Sequence, residues 1–360
     1  FYIMKKIGVM TSGGDCSGLN AAIRAVTLRA CDLGIQVLGF RQGSIGLLNR
    51  DYVNLTPRKV SYEYLMKGGS VLGSINKGNP FQYLTDEGVH IDVTAEIAAS
   101  YKALELDVII SIGGDGSFSI MHSLMKKFDM NVIGVPKTID NDLSCTDYAI
   151  GYSTSVQVIS DCIDKLQTTA ESHQRIIVVQ VMGRDAGHLA LAGGIAGGAD
   201  IILIPEVPYS MNVVATHLKK VFRSQKKFAI VVVSEAIKTV DGSLVMVMDE
   251  VNSRPRYDGS AAYISSLIER HTGLETRPVV LGHLQRGGSP NAFDRLLASQ
   301  LGVYAVDLAV QEKFGQVVVT QNNTITHVPI ENTINTYNHV NVHGNLMHAA
   351  RGLGICLGDA

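Results

Sequence analysis

A lysine and two aspartates follow an apolar segment in the stretch PKTIDND. Residues 131–136 are predominantly apolar and predict a strand, after which come Lys137, Asp140 and Asp142. Ligands bind open α/β sheets outside the carboxyl ends of strands, so this position favours a functional loop over a solvated acidic turn. Two aspartates at i and i+2 in an extended loop point the same way, so one could accept a hydroxyl proton while the other orients the hydroxyl. The stretch therefore predicts proton abstraction from a substrate, with Lys137 available to neutralise phosphate oxygens.

Two glycine-rich segments, TSGGDCSGLN and GGDGS, each follow another apolar run. Glycines such as Gly13 and Gly14 let an anion approach the backbone, and the start of the following helix offers N–H groups to it. A single carboxylate beside such a phosphate site, Asp115, suits Mg²⁺, which takes one or two carboxylates together with phosphate oxygens. The simpler alternatives are a tight turn in the first segment and a helix cap at Asp115 in the second. The sequence has neither the GxGxxG nor the GxxxxGK[ST] pattern, which disfavours a Rossmann dehydrogenase and a P-loop NTPase.

Basic residues lie at the ends of two further predicted strands. They are Arg175 and Arg184 around one strand, and Arg277, His283 and Arg286 around another. Guanidinium groups bind phosphate through a bidentate fork. Any one arginine is more simply a surface charge, and a hydrogen-bonded core histidine remains an alternative for His283. Together with the glycine segments and the aspartates, the set predicts phosphoryl transfer, which depends on positioning and charge neutralisation.

The elements that must position these residues alternate along the chain. Apolar runs predict strands buried on both faces at residues 7–10, 108–112, 132–135, 176–182, 201–204, 229–233 and 279–281. Helical patterns occur at residues 17–31, 94–104, 117–127, 154–168, 213–224, 260–271 and 293–311. This alternation predicts a doubly wound α/β fold with parallel sheets.

The composition excludes several classes of protein. With 360 residues, 46% of them hydrophobic, the chain is expected to form two domains. A net charge of −2 gives no general attraction to nucleic acid or anionic membranes, and no apolar run reaches the roughly 18 residues of a membrane span. The five cysteines form no CxxC pair, and the start of the sequence enters a strand too soon for a signal peptide. We therefore expect a cytoplasmic protein without zinc, nucleic-acid or membrane partners.

As a set, the chemical segments resemble the 6-phosphofructokinase family, in its bacterial form. The resemblance covers residues from about 7 to 301 and rests on TSGGDCSGLN, GGDGS, PKTIDND, MGRDAGH, IAGGAD and LGHLQRGGSP. It implies a glycolytic kinase that phosphorylates the 1-hydroxyl of fructose 6-phosphate. It also implies two doubly wound, Rossmann-like domains with the active site in the cleft between them. The larger, donor-binding domain would span 1–151 and about 285–335, and the smaller, sugar-phosphate-binding domain about 152–284 and 336–360.

The resemblance further implies roles for individual residues. Asp140 resembles the general base, Arg184 would stabilise the transferring phosphoryl group, and Asp115 would hold Mg²⁺. Thr138 and Asp142 would assist the base, and Lys137 would complete the catalytic group by neutralising phosphate oxygens. Residues that would line the donor are Gly13, Gly14, Gly116 and Ser117. Residues that would bind the sugar phosphate are Met182, Gly183, Glu235, His283 and Arg286, together with Thr138, Asp140, Asp142 and Arg184. Arg175 and Arg277 would reach a neighbouring subunit's substrate, within a homotetramer whose minimum active unit is a dimer.

The identity of the phosphoryl donor is the open choice within this family. Gly116 resembles the ATP users, because the aspartate typical of pyrophosphate users would crowd and repel the α-phosphate of ATP. Lys137 instead matches the pyrophosphate users. Asn76 stands where bacterial ATP enzymes carry an arginine, and Lys77 or Lys137 would supply that charge. We expect ATP to be the donor, because steric exclusion is harder to evade than an added cation, with a pyrophosphate-dependent enzyme as the alternative.

Other functions remain as lower-ranked alternatives. A lipid or NAD kinase also uses GGDG, but it would not need PKTIDND and QRGG together. A catalytically inactive sensor subunit would be expected to lose Asp140, Asp115 or Arg184, and all three are present. The sequence also leaves open a related acceptor such as sedoheptulose 7-phosphate.

Overall fold

The computed structural model describes residues 4–75, 79–239, 242–249, 254–257 and 259–359. Its strands, in chain order, are β1 (Lys6–Thr11), β2 (Gln36–Phe40), β3 (Tyr52–Leu55), β4 (Tyr83–Leu84), β5 (His90–Ile91), β6 (Val108–Gly113), β7 (Val132–Thr138), β8 (Ile150–Gly151), β9 (Ile176–Val181), β10 (Ile201–Leu203), β11 (Ala229–Ser234), β12 (Met246–Asp249), β13 (Arg254–Tyr257), β14 (Thr276–Val280), β15 (Gln316–Gln321) and β16 (Thr324–Pro329).

The α-helices lie mostly between the strands. They are α1 (Leu19–Asp32), α2 (Ser44–Asn49), α3 (Glu63–Met66), α4 (Thr94–Ala103), α5 (Asp115–Phe128), α6 (Tyr152–His173), α7 (His188–Ala196), α8 (Met211–Arg223), α9 (Ser260–Thr272), α10 (Ala292–Val310) and α11 (Asn345–Gly352). Short 3₁₀ turns occur at Pro80–Gln82, Gly282–Arg286 and Ile330–Thr333. The seven predicted helices all form, each within a few residues of its predicted bounds.

The chain divides into two compact units, of which unit 1 comprises Phe1–Thr138, Leu143–Thr154 and Arg286–Tyr337. Its sheet has the order β16-β15-β7-β6-β1-β2-β3, and β8 pairs with β7 outside this path. The strands from β15 to β2 are parallel, whereas β3 and β16 are antiparallel edge strands. Every residue of β6 is buried, as expected of a strand covered on both faces.

Unit 2 comprises Ile139–Asp142, Ser155–Gln285 and Asn338–Ala360. Its main sheet has the order β10-β11-β9-β14 and is parallel throughout. The central strands β9 and β11 are completely buried. Strand β14 differs from the prediction because it begins at Thr276 and lies at the sheet edge, where most of its residues are partly or fully exposed. An edge position also accommodates Pro278, which has no N–H to donate to a neighbouring strand.

The fold therefore confirms the doubly wound α/β class, with antiparallel edges added to unit 1. Among the described residues, no helix combines the length and the hydrophobicity needed to cross a bilayer.

Candidate functional site

Three neighbouring strands of unit 1 end at the same edge of the sheet with predicted site residues. Strand β1 leads into the Gly13–Gly14 loop, β6 leads into Gly114 and Asp115, and β7 ends in Lys137 and Thr138. Strand β1 lies between β2 and β6 in the sheet. The chain continues from β1 to β2 on one side and reaches β6, on the other side, only later, so the carboxyl end of β1 is a topological switch point. Such a point opens a crevice outside the carboxyl ends of the strands, where open α/β sheets bind ligands.

The Gly13–Gly14 loop is fixed by a neighbouring segment of unit 1. The backbone N–H of Gly13 donates to the carbonyl oxygen of Ile75 at 3.3 Å, and Ser74 Oγ donates to the Gly13 carbonyl at 2.5 Å. Gly13 has φ +82°, in the left-handed region that favours glycine. Asn76 and Lys77, predicted to contact the donor, follow this segment but lie outside the described residues.

Helix α5 begins directly at the predicted donor site. Asp115 is the first helical residue, preceded by Gly114 as the N-cap without a side-chain capping bond, so Asp115 is not the cap. A Cβ built on Gly113 would lie 2.5 Å from the Cβ of Ser117, so only glycine lets the first turn of the helix approach the strand end. Apart from the adjacent residues and the backbone of its own helix, a Cβ built on Gly116 would meet no atom within 4 Å. The helix start therefore presents Asp115 and Ser117 beside open space at Gly116.

Two cationic side chains flank the first glycine loop. Lys137 is buried, and its Nζ donates to the carbonyl oxygen of Gly14 at 2.5 Å. Arg286 donates from Nη1 to the carbonyl oxygen of Asp15 at 3.1 Å. A Cβ on Gly14 would lie 2.6 Å from that same Nη1. Glycine at this position therefore allows the guanidinium group of Arg286 to lie against the loop that we predicted to line the donor.

Cys16 lies immediately after this loop, in the core of unit 1. Its side chain is fully buried, and its Sγ donates to the carbonyl oxygen of Ile150 at 3.3 Å. Burial raises the pKa of the Cys16 thiol to about 12, and the nearby Lys137 charge only partly opposes this rise. The thiol is therefore protonated at neutral pH and does not serve as a nucleophile.

A second group of predicted residues lies at the carboxyl ends of adjacent strands in unit 2. Met182, Gly183 and Arg184 follow β9, Glu235 follows β11, and His283 follows β14. The Arg184 backbone N–H donates to Glu235 Oε1 at 2.8 Å, which joins the first two loops. This bond supports an unusual backbone, because Arg184 has φ +51° and Gly183 has φ +139°.

The Asp140–Asp142 loop belongs to the same unit. Asp140, Asn141 and Asp142 are each less than one-tenth exposed. Asn141 has φ +52°, in the left-handed region that asparagine adopts more readily than most residues. The guanidinium Nη1 of Arg184 lies 3.7 Å from Asp142 Oδ2, so the predicted charge-stabilising arginine lies beside the predicted catalytic loop.

Arg175 and Arg277 are separated from this group within unit 2. Arg175 precedes β9 and Arg277 is the second residue of β14, so both lie at the amino end of the sheet. They share one carboxylate, because Glu275 Oε1 lies 3.3 Å from Arg175 Nη2 and 2.7 Å from Arg277 Nη2. The structure does not bring these two arginines to the strand ends that carry Met182, Glu235 and His283.

Sequence reasoning missed residues that hold the site together. Gln285 is buried, and its Oε1 accepts from the Met182 backbone N–H at 3.1 Å while its Nε2 donates to the Gly282 carbonyl at 2.9 Å. It therefore joins the loops after β9 and β14. The sequence signal for this role was the position of Gln285 in the QRGG motif. Once buried there, a glutamine needs hydrogen-bond partners, which the two loops supply. Ser74 carried no comparable signal, because serine is common in loops.

The sequence matches a known family model over most of its length. The model described as Phosphofructokinase matches residues 6–309. Two relatives named ATP-dependent 6-phosphofructokinase 1, from Synechocystis sp. and Nostoc sp., are 46% and 45% identical to this chain, each over 99% of both sequences.

Solved structures agree with this assignment. Phosphofructokinase from Pichia pastoris in the T-state superimposes with a TM-score of 0.81 and 29% identity, over 98% of this chain and 39% of that one. A pyrophosphate-dependent phosphofructokinase from Marinobacter aquaeolei shares the fold, with a TM-score of 0.79 at 20% identity, over 99% of this chain and 93% of the other. Because the family model and the relatives cover the strand-end loops described above, the chain belongs to the phosphofructokinase family.

Proposed function

We propose that this chain transfers the terminal phosphoryl group of ATP to the 1-hydroxyl of fructose 6-phosphate, giving fructose 1,6-bisphosphate in glycolysis. The observation that carries the proposal is the meeting of two glycine loops, a carboxylate and a buried lysine at one sheet edge in unit 1. ATP is the donor in this proposal because relatives of nearly equal length, 46% and 45% identical, are named as ATP-dependent enzymes.

In unit 1, Gly13 and Gly14 bind phosphate oxygens through their backbone, and Ser117 binds them from the first turn of α5. The positive end of the α5 dipole and the helix N–H groups favour an anion there. Gly116 leaves room for the nucleotide, in keeping with the open space beside it. Lys137 neutralises charge on the donor, and Asn76 and Lys77 remain candidates for additional donor contacts.

Mg²⁺ fits this arrangement. Among the described residues no group of three histidine, cysteine, aspartate or glutamate side chains forms a closed metal site. One carboxylate at a helix start suits an ion that takes its other ligands from phosphates and water, so Asp115 is the residue that would hold it. When bound, the ion neutralises developing charge on the phosphates.

Asp140 accepts the proton of the 1-hydroxyl, and Asp142, with Thr138 at the end of β7, orients the base and the hydroxyl. Arg184 stabilises negative charge on the transferring phosphoryl group. The sugar phosphate is bound by Met182, Gly183, Glu235, His283 and Arg286. This division gives unit 1 the donor and unit 2 the acceptor, which restates the predicted division into a donor domain and a sugar-phosphate domain.

The buried lysine favours one second candidate, a pyrophosphate-dependent phosphofructokinase. Lys137 Nζ is held against the first glycine loop, where it could bind a small donor that lacks a nucleoside. Gly116 and the named activity of the relatives favour ATP, so pyrophosphate ranks second.

We also propose a homotetramer, at least a dimer, in the cytoplasm. Arg175 and Arg277 lie at the amino end of the unit 2 sheet, so their proposed role is to bind the sugar phosphate of a neighbouring subunit.

The proposed function is tested by an aldolase-coupled assay with fructose 6-phosphate and Mg²⁺, run separately with ATP and pyrophosphate. We expect turnover with ATP. Turnover with pyrophosphate alone would replace the donor assignment, and turnover with neither donor would contradict the proposed reaction. Sedoheptulose 7-phosphate in place of fructose 6-phosphate measures acceptor selectivity.

A further inference from the structure

The backbone of the Asp140–Asp142 loop is held by a segment that comes much later in the chain. The backbone N–H of Asn338 donates to the carbonyl oxygen of Asp142 at 3.0 Å, and its side-chain Nδ2 donates to the carbonyl oxygen of Asn141 at 3.0 Å. The neighbouring residues Leu143 and Tyr337 form an antiparallel bridge. Two successive carbonyl groups of the loop are thus bound by one asparagine.

This loop needs such support because of its conformation. Asn141 has φ +52°, and it separates two buried aspartates whose carboxylates must keep a defined direction. A residue in the left-handed region persists where surrounding contacts determine it. Because a carbonyl group fixes the orientation of its peptide plane, bonds to the carbonyls of Asn141 and Asp142 restrict the residues on both sides of them.

Asn338 is itself held on its other side. His188 Nε2, at the first residue of α7, lies 2.7 Å from the Asn338 carbonyl oxygen and donates to it. Two residues later, the Val340 backbone N–H donates to Glu206 Oε1 at 2.9 Å, and Gly187 N–H donates to the same oxygen at 3.0 Å. The segment 338–340 is therefore bonded both to the aspartate loop and to the start of α7, four residues after Arg184.

We propose that Asn338 is a positioning residue for catalysis, which holds the backbone of Asn141 and Asp142 so that the Asp140 carboxylate keeps the orientation of a general base. This inference rests on the proposed function, because it concerns the same base. Asn338 lies outside residues 6–309, which the family model matches. A positioning error of about 1 Å at a reacting group can lower turnover on the order of 100-fold, so the expected effect is on kcat.

The test compares Asn338→Ala with Asn131→Ala. Asn131 Nδ2 makes the same type of bond, to the Asp107 carbonyl at 2.9 Å, at the opposite end of β7 and in unit 1. Both variants lose one side-chain hydrogen bond to a backbone carbonyl, so a purely structural role predicts equal effects. We expect kcat to fall about 10- to 100-fold in Asn338→Ala, with the Kd for fructose 6-phosphate within about threefold of wild type. We expect Asn131→Ala to keep the wild-type kcat.

Asn338→Asp provides a second variant with nearly the same shape, in which an acceptor replaces the donor. We expect its kcat to fall at least as far as that of Asn338→Ala, because the new oxygen faces the Asn141 carbonyl oxygen. Circular dichroism and thermal melting establish that each variant is folded before its kinetics are compared.

The outcomes separate this inference from the proposed function. An inactive wild-type enzyme would contradict the proposed function. An active wild-type enzyme with an unchanged kcat in a folded Asn338 variant would overturn this inference alone. A loss confined to KM, or an equal loss in Asn131→Ala, would overturn it as well, because either result describes general destabilisation rather than positioning.

Discussion

Lys137 Nζ lies 2.5 Å from the carbonyl oxygen of Gly14, and only 4% of the lysine is exposed. This contact joins the end of β7 to the loop after β1, so the lysine orders the loop and adds a positive charge beside it. We expect Lys137→Met to lower kcat/KM for ATP roughly 100-fold, because a buried charged contact beside the proposed donor site is lost. Steady-state kinetics at varied ATP measure the effect. The control is Lys126→Met, at an exposed position on α5, which should leave kcat/KM unchanged. Equal kinetics for both variants would show that Lys137 does not act at the proposed donor site.

Gly116→Asp tests whether ATP binding needs the open space beside Gly116. The Cβ meets no protein atom, so we expect the free energy of unfolding to stay within about 1 kcal/mol of wild type. The KM for ATP should rise on the order of 100-fold, because the carboxylate occupies space needed by the nucleotide and repels its phosphates. Gly116→Ala is the control for the loss of glycine and should change KM much less. An unchanged KM for ATP in Gly116→Asp would show that the donor does not approach this residue.

Asp140→Ser tests the general base directly. We expect kcat to fall about 1,000-fold, because general base catalysis contributes factors of this size. The Kd for fructose 6-phosphate, measured by calorimetry, should remain within about threefold of wild type. Asp164→Ser, at an exposed position on α6, is the control and should keep full activity. A wild-type rate in Asp140→Ser would exclude Asp140 as the base.

The buried Cys16 thiol should make the folded protein less stable in alkali. Burial raises its pKa from 9.0 to about 12 in the folded protein, so the unfolded chain loses the thiol proton first as the pH rises. The contribution of this group to stability is complete below pH 9 and is lost between pH 9 and about 12, at no more than about 1.4 kcal/mol per pH unit. Tyr101, with its pKa raised to about 12, contributes in the same direction. Denaturant unfolding should therefore show a smaller alkaline loss in Cys16→Ala than in wild type, and parallel pH curves would refute the assignment to Cys16.

Removal of the Asp294 carboxylate should cause a large loss of stability. This buried carboxylate on α10 accepts from Gly151 N–H at 3.0 Å, Thr154 N–H at 2.7 Å and Thr154 Oγ1 at 2.5 Å, and so caps the start of α6. Burial raises its pKa, and these bonds partly oppose the rise. Asp294→Ala leaves buried donors without an acceptor, so we expect the free energy of unfolding to fall by about 3 kcal/mol.

A matched control lies on the same helix. Asp307 pairs with Arg29 at 2.7 Å, but its side chain is 32% exposed. Because partly exposed ion pairs contribute little, Asp307→Ala should cost less than about 1 kcal/mol in urea unfolding. A comparable loss in the two variants would mean that burial does not decide the strength of these contacts.

The central strands could be predicted because burial on both faces leaves a continuous apolar run. Strand β6 is an example, since all its residues are buried. Strands β15 and β16 were not predicted: every residue of β16 is partly or fully exposed, so it forms no apolar run, and its antiparallel partner β15 was not identified although it contains three consecutive valines. Helix α7 was also missed, because it contains two glycines and is apolar on all sides, so it shows no helical period.

Part of the candidate site could be predicted because its residues follow predicted strands directly. The order of strands then decides which strand ends meet, and that order brings the loops after β1 and β6 beside the end of β7. The support of these loops could not be predicted in the same way. Gln285 and Asn338 contact loops distant in sequence, and neither the type of these residues nor their spacing identifies the partner.

The chain passes between the two compact units at five points, so neither unit is made from one continuous stretch. Asn338 follows Asn141 by 197 residues. At a synthesis rate of roughly 5–20 residues per second, the aspartate loop leaves the ribosome on the order of ten seconds or more before its hydrogen-bond partner exists. The proposed general base therefore reaches its final orientation late in biosynthesis, and a nascent chain that already carries both glycine loops and both aspartates is not yet a finished catalyst.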